Sequence, residues 1–499
     1  MAAHGTGRPP IALSAETLGL LGSSVGRPQY DRSSLSVGIV HFGVGGFHRA
    51  HQAVYLDELM SRGLARDWAI CGVGVLPQDE RMADAMESQD CLYTVMVKHP
   101  DGRREARVVG SMAEYLFAPR DPEAVLARMT APATRIVSLT ITEGGYSIDP
   151  SSGEFDPGSP DLQADLAGGA PRSAFGFLVE ALRRRRDAGI APFTIQSCDN
   201  IQSNGDVARR AITGFARLLD PELADWIAVN VAFPNAMVDR ITPVTSDADR
   251  EEVAERFGVA DRWPVVCEPF RQWVVEDHFP TGRPVWEEVG VQVVADVIPY
   301  ELMKLRLLNA SHQALCYFGY LMGYRYAHEA LGDERIVTLL ERYMDEEGTP
   351  TLEPVPGVDL PAYKAQLIKR FSNPEIRDTL ARLCAESSDR IPKWLLPVVT
   401  SNLAADRPVT LSAAVVASWA RYAEGVDEAG EPIEVVDRIR EVLQPIARRQ
   451  RQRPTAFIEY RPVFGDLVDD TRFMTPYLAT LEALHNDGAA VALERVLGS

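Results

Sequence analysis

Cysteine is scarce and scattered in this chain. The six thiols, Cys71, Cys91, Cys198, Cys267, Cys316 and Cys384, include no C-x-x-C pair in 499 residues. That spacing argues against a disulfide framework and a structural zinc site, and it suits the reducing cytoplasm, where the protein is expected to reside. Long apolar runs are also missing. The richest, around Ala314–Gly323, falls well short of the roughly 18 residues needed to span a bilayer, so no membrane partner is expected. Basic residues are the minority, 51 against 70 acidic, giving a net charge of −19. A nucleic-acid or anionic-membrane binder usually carries a basic footprint instead, so no nucleic-acid partner is expected. The one basic run, Arg183–Arg186, reads as the solvated end of a helix, where cations complement the helix dipole. The opening residues, M-A-A-H-G-T-G-R-P-P, lack the apolar core of a secretion signal and read as a short disordered tail. No internal repeat or low-complexity segment is present.

What remains is an ordinary globular mixture, 46% hydrophobic and 24% charged, long enough for two substantial cores. In the first half, strand-like runs at Val37–Phe42, Trp68–Val75, Arg135–Thr142, Phe193–Cys198 and Ile227–Phe233 alternate with helical stretches such as Pro122–Met129 and Ala174–Arg186. Alternation of this kind predicts an α/β domain of the Rossmann type, a doubly wound and mostly parallel sheet. Cys91–Val97 and Arg104–Val109 flank H-P-D-G and predict a hairpin inserted in that sheet. After about Pro299 apolar residues recur at helical spacing, through Leu302–Leu321, Ile336–Met344, Leu360–Phe371, Ile376–Cys384, Trp394–Asn402, Ala413–Tyr422 and Val435–Ile446. The expected domains are therefore 1–295, dinucleotide-binding, and 296–499, mainly α-helical and carrying substrate and catalytic residues.

Three segments carry chemistry. In Ile39-Val40-His41-Phe42-Gly43-Val44-Gly45-Gly46-Phe47-His48-Arg49-Ala50-His51 a strand runs into glycines and then into a helical pattern, Gln52–Met60. Glycines at such a turn let the backbone approach a pyrophosphate, and the following helix start offers unpaired N–H groups. A plain tight turn remains the alternative, because His48 stands where a third glycine of G-x-G-x-x-G would fall. After the second strand the first acids are Asp79 and Glu80. Asp79 is the candidate for the adenosine ribose, favouring NAD over NADP because it would repel a 2′-phosphate; a helix N-cap is the competing reading. His48-x-x-His51 is the nearest approach to a metal pair, but it lies in the cofactor turn, and no metal is expected.

In the second segment, Lys304, Asn309 and His312 lie at offsets 0, 5 and 8. At about 100° per residue they point to roughly 0°, 140° and 80°, one helical face. Leucines surround them, and a buried lysine is uncommon unless paired or functional. Desolvation would push it toward the neutral form that can act as a base. A snorkelling lysine, an interhelical asparagine and a core histidine are the structural alternatives. The third segment, Ser197-Cys198-Asp199-Asn200-Ile201-Gln202-Ser203-Asn204-Gly205, follows a strand, as does Phe233–Pro243 with Val238 and Asp239. Sites form beyond strand carboxyl ends in doubly wound folds, but Asp-Asn and Asn-Gly are also good turn formers.

Together G-V-G-G-F-H-R-A-H-Q, T-E-G-G-Y (Thr142–Tyr146), S-C-D-N, F-P-N-A-M-V-D-R-I-T-P and K-L-R-L-L-N-A-S-H resemble the polyol-specific long-chain dehydrogenases, the mannitol dehydrogenase family, over roughly 35–490. The departure at His48 matches that family's own motif. The resemblance implies NAD(P)-dependent, zinc-independent oxidation of a secondary alcohol by a monomer. It assigns the catalytic lysine to Lys304, the oxyanion-binding asparagines to Asn200 and Asn309, and the substrate-orienting histidine to His312. It places contacts near the cleft at Val238 and Asp239. Arg382 and Arg390 match a substrate-binding stretch, with Arg390 where the mannitol 2-dehydrogenases carry Lys, a change that is not neutral at a hydroxyl-binding site. The expected substrate pair is D-mannitol and D-fructose, with arabinitol, or the keto-uronates fructuronate and tagaturonate, as alternatives within the family. A non-catalytic NAD-binding sensor is the alternative outside it.

Overall fold

The computed structural model describes residues 9–148 and 155–498, which divide into two compact units meeting in sequence at Val297/Ile298. Most of the expected N-terminal tail, residues 1–8, lies outside the described residues.

The first unit is built on a five-stranded sheet in the order Met112–Phe117, Ala69–Gly74, Val37–Phe42, Ile136–Leu139, Thr194–Ser197, with every neighbouring pair parallel. The central strand is buried along its whole length, which is why it reads as a continuous apolar run. Ile39 packs with Gln52–Ser61 side chains such as Val54 and Leu56 on one face. Val40 and Phe42 pack with Phe177 and Leu178 of helix Ala174–Asp187 on the other. Helices thus cover both faces, the doubly wound arrangement.

Several expectations need correction. Ile227–Phe233 is not a strand. Its first part ends helix Pro221–Asn230, which Asp220 opens by accepting from the N–H of Glu222 and Leu223 at 3.0 and 3.1 Å. The Asp-Pro start outweighs the apolar run that follows. The strand comes later, at Ala236–Asp239, in a three-stranded sheet with Gln272–Glu276 and Gln292–Val294. The hairpin exists, Tyr93–Lys98 against Arg104–Val109 in antiparallel register. It belongs to a separate four-stranded sheet with Val25–Gly26 and Val265–Cys267 rather than to the central one. The arginine run does end a helix, but Arg185 is not solvated. It is 1% exposed and donates to the carbonyls of Ala191, Met129, Ala131 and Thr134 at 2.8–3.1 Å.

The second unit is helical, with no strand among its described residues. Helix Leu360–Phe371 has the expected limits. Of Ile376–Cys384 only Leu380–Cys384 is helical, started by Thr379. Trp394–Asn402 spans two helices, Ser387–Trp394 and Leu396–Ala404, parted at Leu395 just before Pro397. Helices Thr471–Asn486 and Ala489–Gly498 follow the last expected segment. No described helix is long and apolar enough to cross a membrane.

Candidate active site

The glycine turn is shaped by one close approach. Gly43 has φ +87°, and a Cβ there would meet the Thr140 carbonyl oxygen at 2.1 Å, so only glycine fits. Gly45 is exposed, and a Cβ there would find only the Gly43 oxygen, at 3.8 Å, in an otherwise open space. The surface of the turn is therefore backbone at Gly43, Gly45 and Gly46, while the half-buried Phe47 ring stacks on His51. The rest of segment 39–50 holds it from behind. Ile39, Val40, Phe42, Val44 and Ala50 are core residues. His41 is fully buried, its Nδ1 2.7 Å from Ser138 Oγ and its Nε2 3.0 Å from Thr140 Oγ1. The His48 ring stacks on His41 at 3.4 Å. Arg49 lies 5.2 Å over the Tyr93 ring and contacts the Trp263 carbonyl, while Tyr93 donates to the Arg49 carbonyl at 2.9 Å. Burial pulls the imidazoles of His41 and His51 down to about 3 and that of His48 well below its ordinary value, so all three are neutral.

Asp79 does not cap helix Glu80–Ser88. Its Oδ2 accepts from the N–H of Val75 and Leu76 at 3.0 and 2.9 Å, which fixes the carboxylate beside the second strand's end. Gly74 makes this possible, since a Cβ there would stand 2.7 Å from Asp79 Cβ and 2.5 Å from Tyr115 Oη.

Asn200 is exposed directly beyond Thr194–Ser197. Its neighbours do the structural work. Asp199, buried, accepts from the N–H of Ile141 and Thr142 at 3.1 and 2.8 Å and from Tyr146 Oη at 2.7 Å. The carboxylate ties T-E-G-G-Y to S-C-D-N and holds Thr142 at φ +67°, a costly conformation for a β-branched residue. Burial pushes the Asp199 carboxyl up, and the three donated hydrogen bonds oppose that rise. Asn204 bridges to Ala236 through both its amide atoms, at 2.7 and 2.9 Å, and Asn235 Oδ1 accepts from Gly205 N–H at 2.8 Å. A Cβ on Gly205 would meet the Phe233 oxygen at 2.5 Å. Val238 and Asp239 are buried in their strand, opposite Trp273 and Gln272.

In the second unit, Lys304 and Asn309 bound a π turn, Lys304–Asn309, set between helices Ile298–Met303 and Ala310–Leu321. Single π turns inside α-helices recur at functional sites. Because such a turn takes more residues per revolution, it brings residue 309 closer to the azimuth of 304 than 100° steps imply. Both residues are buried, 7% and 4% exposed. Asn309 Nδ2 has no hydrogen-bond partner among the described residues, and such an orphaned donor is costly unless something supplies an acceptor. His312 is half-buried, its ring 4.4 Å from Phe371. Helix Ser387–Trp394, with Arg390, packs on the π turn, and Leu380–Cys384, with Arg382, packs on Ala310–Leu321. Arg390 Nη1 donates to the carbonyls of Arg382 and Leu383 at 3.0 and 3.1 Å. Arg382 is open to solvent and paired with Asp378.

Among the described residues, no group of three or more His, Cys, Asp or Glu side chains converges as a metal site. His51 Nε2 lies 2.8 Å from the Gln272 carbonyl oxygen, and the His48 ring is stacked on His41.

Sequence reasoning missed Asp199, Tyr146 and Asp378. Asp199 looked like turn chemistry, and Asp378 lies four residues before Arg382, the spacing of an ordinary surface pair.

A family model described as the mannitol dehydrogenase Rossmann domain matches residues 37–288, and one described as the mannitol dehydrogenase C-terminal domain matches 296–485. A mannitol 2-dehydrogenase of Cereibacter sphaeroides is 48% identical over 95% of this chain and 99% of its own length. One of Aspergillus fumigatus is 46% identical over 98% and 99%. Among solved structures, the Pseudomonas fluorescens mannitol 2-dehydrogenase ternary complex with NAD and D-mannitol is 44% identical, with a TM-score of 0.88 over 98% of this chain and 100% of that one. A substrate-free D-sorbitol dehydrogenase is 38% identical, with the same TM-score over 96% and 100%. With both domain models matched in order along nearly the whole sequence, the chain belongs to the mannitol dehydrogenase family.

Proposed function

We propose that this protein is an NAD-dependent polyol dehydrogenase that interconverts D-mannitol and D-fructose without a metal, acting as a cytoplasmic monomer. The observation that carries the reading is the π turn bounded by buried Lys304 and by Asn309, whose amide nitrogen lacks an acceptor. It is supported by the 44% identity to a protein solved with NAD and D-mannitol.

The residues present fit a dinucleotide. The backbone at Gly43, Gly45 and Gly46 would take the pyrophosphate, Asp79 would hold the adenosine ribose hydroxyls, and Val238 and Asp239 would add further contacts to the cofactor. When bound, NAD supplies the acceptor for the hydride that leaves the alcohol carbon. Lys304, in its neutral form, takes the hydroxyl proton. Asn200 and Asn309 donate to the oxygen as it gains negative charge, each such donor contributing about 3 kcal/mol to the transition state. His312 holds the neighbouring hydroxyl and fixes which carbon reacts, and Arg382 and Arg390 serve the distal hydroxyls.

The test is a panel of mannitol, arabinitol, sorbitol, fructose and fructuronate with NAD and with NADP, run on wild type and Lys304→Ala. Mannitol and fructose with NAD should be preferred. Oxidation should rise with pH and reduction fall, because the two directions need opposite protonation states of one base. Lys304→Ala should lose about a thousandfold in turnover with NADH binding nearly intact. Near wild-type turnover in a folded Lys304→Ala protein would make Lys304 structural. The sorbitol arm matters because a D-sorbitol dehydrogenase is among the similar structures.

A further inference from the structure

Arg382 is not a free cation. Its Nε donates to Asp378 Oδ1 and its Nη2 to Asp378 Oδ2, both at 2.6 Å, a side-on bidentate pair. The Asp378 side chain is 11% exposed against 57% for Arg382, so the acid lies beneath and the cation faces outward. Nη1 carries no hydrogen bond among the described residues. Arg390 spends its Nη1 on two main-chain carbonyls and lies 5.5 Å from the Trp394 ring centre. Nearby Asp389 is taken by Lys393 at 2.7 Å and Arg438 at 3.3 Å. The strongest carboxylate-binding edge of Arg382 is therefore already filled by a carboxylate of the protein itself.

Resting on the function proposed above, we propose that Asp378 sets substrate class: by neutralising Arg382 from below, it makes that residue a hydroxyl donor and selects neutral polyols and ketoses over sugar acids. A hydroxyl oxygen accepts from Nη1 without meeting net charge. A substrate carboxylate at the same place shares one guanidinium with Asp378, so like-charge repulsion offsets the attraction of the cation. Discrimination of this kind needs a repulsive element against the wrong ligand, and Asp378 supplies it. The uronate alternative would need what this pair removes, an uncompensated cation.

The experiment compares kcat/KM for D-fructose and D-fructuronate, its carboxylate counterpart, with NADH, in wild type, Asp378→Asn, Asp378→Ser and Asp378→Asn/Arg382→Gln. Wild type should prefer fructose. Removing the charge at 378 should shift the ratio toward fructuronate by at least about tenfold. The shift should shrink as salt is raised and vanish in the double variant, while the KM for NADH stays put. Asp378→Ser serves if the asparagine variant does not fold. A folded variant with an unchanged ratio, a shift that persists without Arg382, or a wild type that prefers fructuronate would each overturn the assignment. A wild type that reduces neither compound would instead overturn the proposed function.

Discussion

At the scale of single residues, buried polar groups here hold backbone that no ladder holds. Arg185 does so with four carbonyls, and Asp199 with two N–H groups and a phenol. Asp199→Asn keeps the volume but loses the charge and turns one acceptor into a donor that faces donors. The expected loss in urea-unfolding stability is about 2 kcal/mol, the usual scale for a buried charged hydrogen bond. Because Thr142 is then free to leave φ +67° and Asn200 is the next residue, turnover should fall while NADH affinity changes little. Tyr146→Phe removes one donor and leaves both N–H groups paired, so about 1 kcal/mol is expected. A smaller loss for Asp199→Asn than for Tyr146→Phe would mean the carboxylate is not the tie.

At the scale of elements, the cofactor turn rests on three imidazoles, His41, His48 and His51, that burial keeps neutral. In the unfolded chain they bind protons below their ordinary value of 6.5. Between there and about 3, where His41 and His51 titrate in the fold, the unfolded state holds more protons, and stability falls as pH falls. The slope is at most about 1.4 kcal/mol per pH unit for each ring. His51→Asn should flatten the decline measured by urea midpoints between pH 7 and 5. Comparing variant with wild type isolates the ring from Asp199, Asp261 and Glu347, whose carboxyls burial pushes up and which act in the opposite direction. An unchanged slope would show that the ring is already protonated in the fold. These same elements mark how far sequence alone reaches. Val37–Phe42 and Gln52–Ser61 were legible because one is buried on both faces and the other repeats at helical spacing. Strand Met112–Phe117 was not, since it is an edge strand with only Met112 fully buried. The π turn left no signature either, because its leucines fit an α-helix equally well. Asn309 was singled out by its place on the helical face of Lys304 and given its role by the family motif, whereas its unpaired amide depends on packing that no spacing encodes.

At the scale of the whole molecule, the acidic balance of 70 to 51 gives like-charged molecules a mutual repulsion that would not bear on a neutral polyol. The six cysteines have a different consequence. All are free and buried, four in the first unit and two, Cys316 and Cys384, in the second. Burial pushes the thiols of Cys91 and Cys267 up to about 12 and 11, and it shields all six from a disulfide reagent while the fold is closed. Each thiol becomes a stopwatch, started only when its own core opens. Mass spectrometry of protein held in excess reagent should show labels arriving in blocks, four together and two together, rather than singly. The two arrival times are then the opening rates of two separate cores, read from one sample without a single substitution.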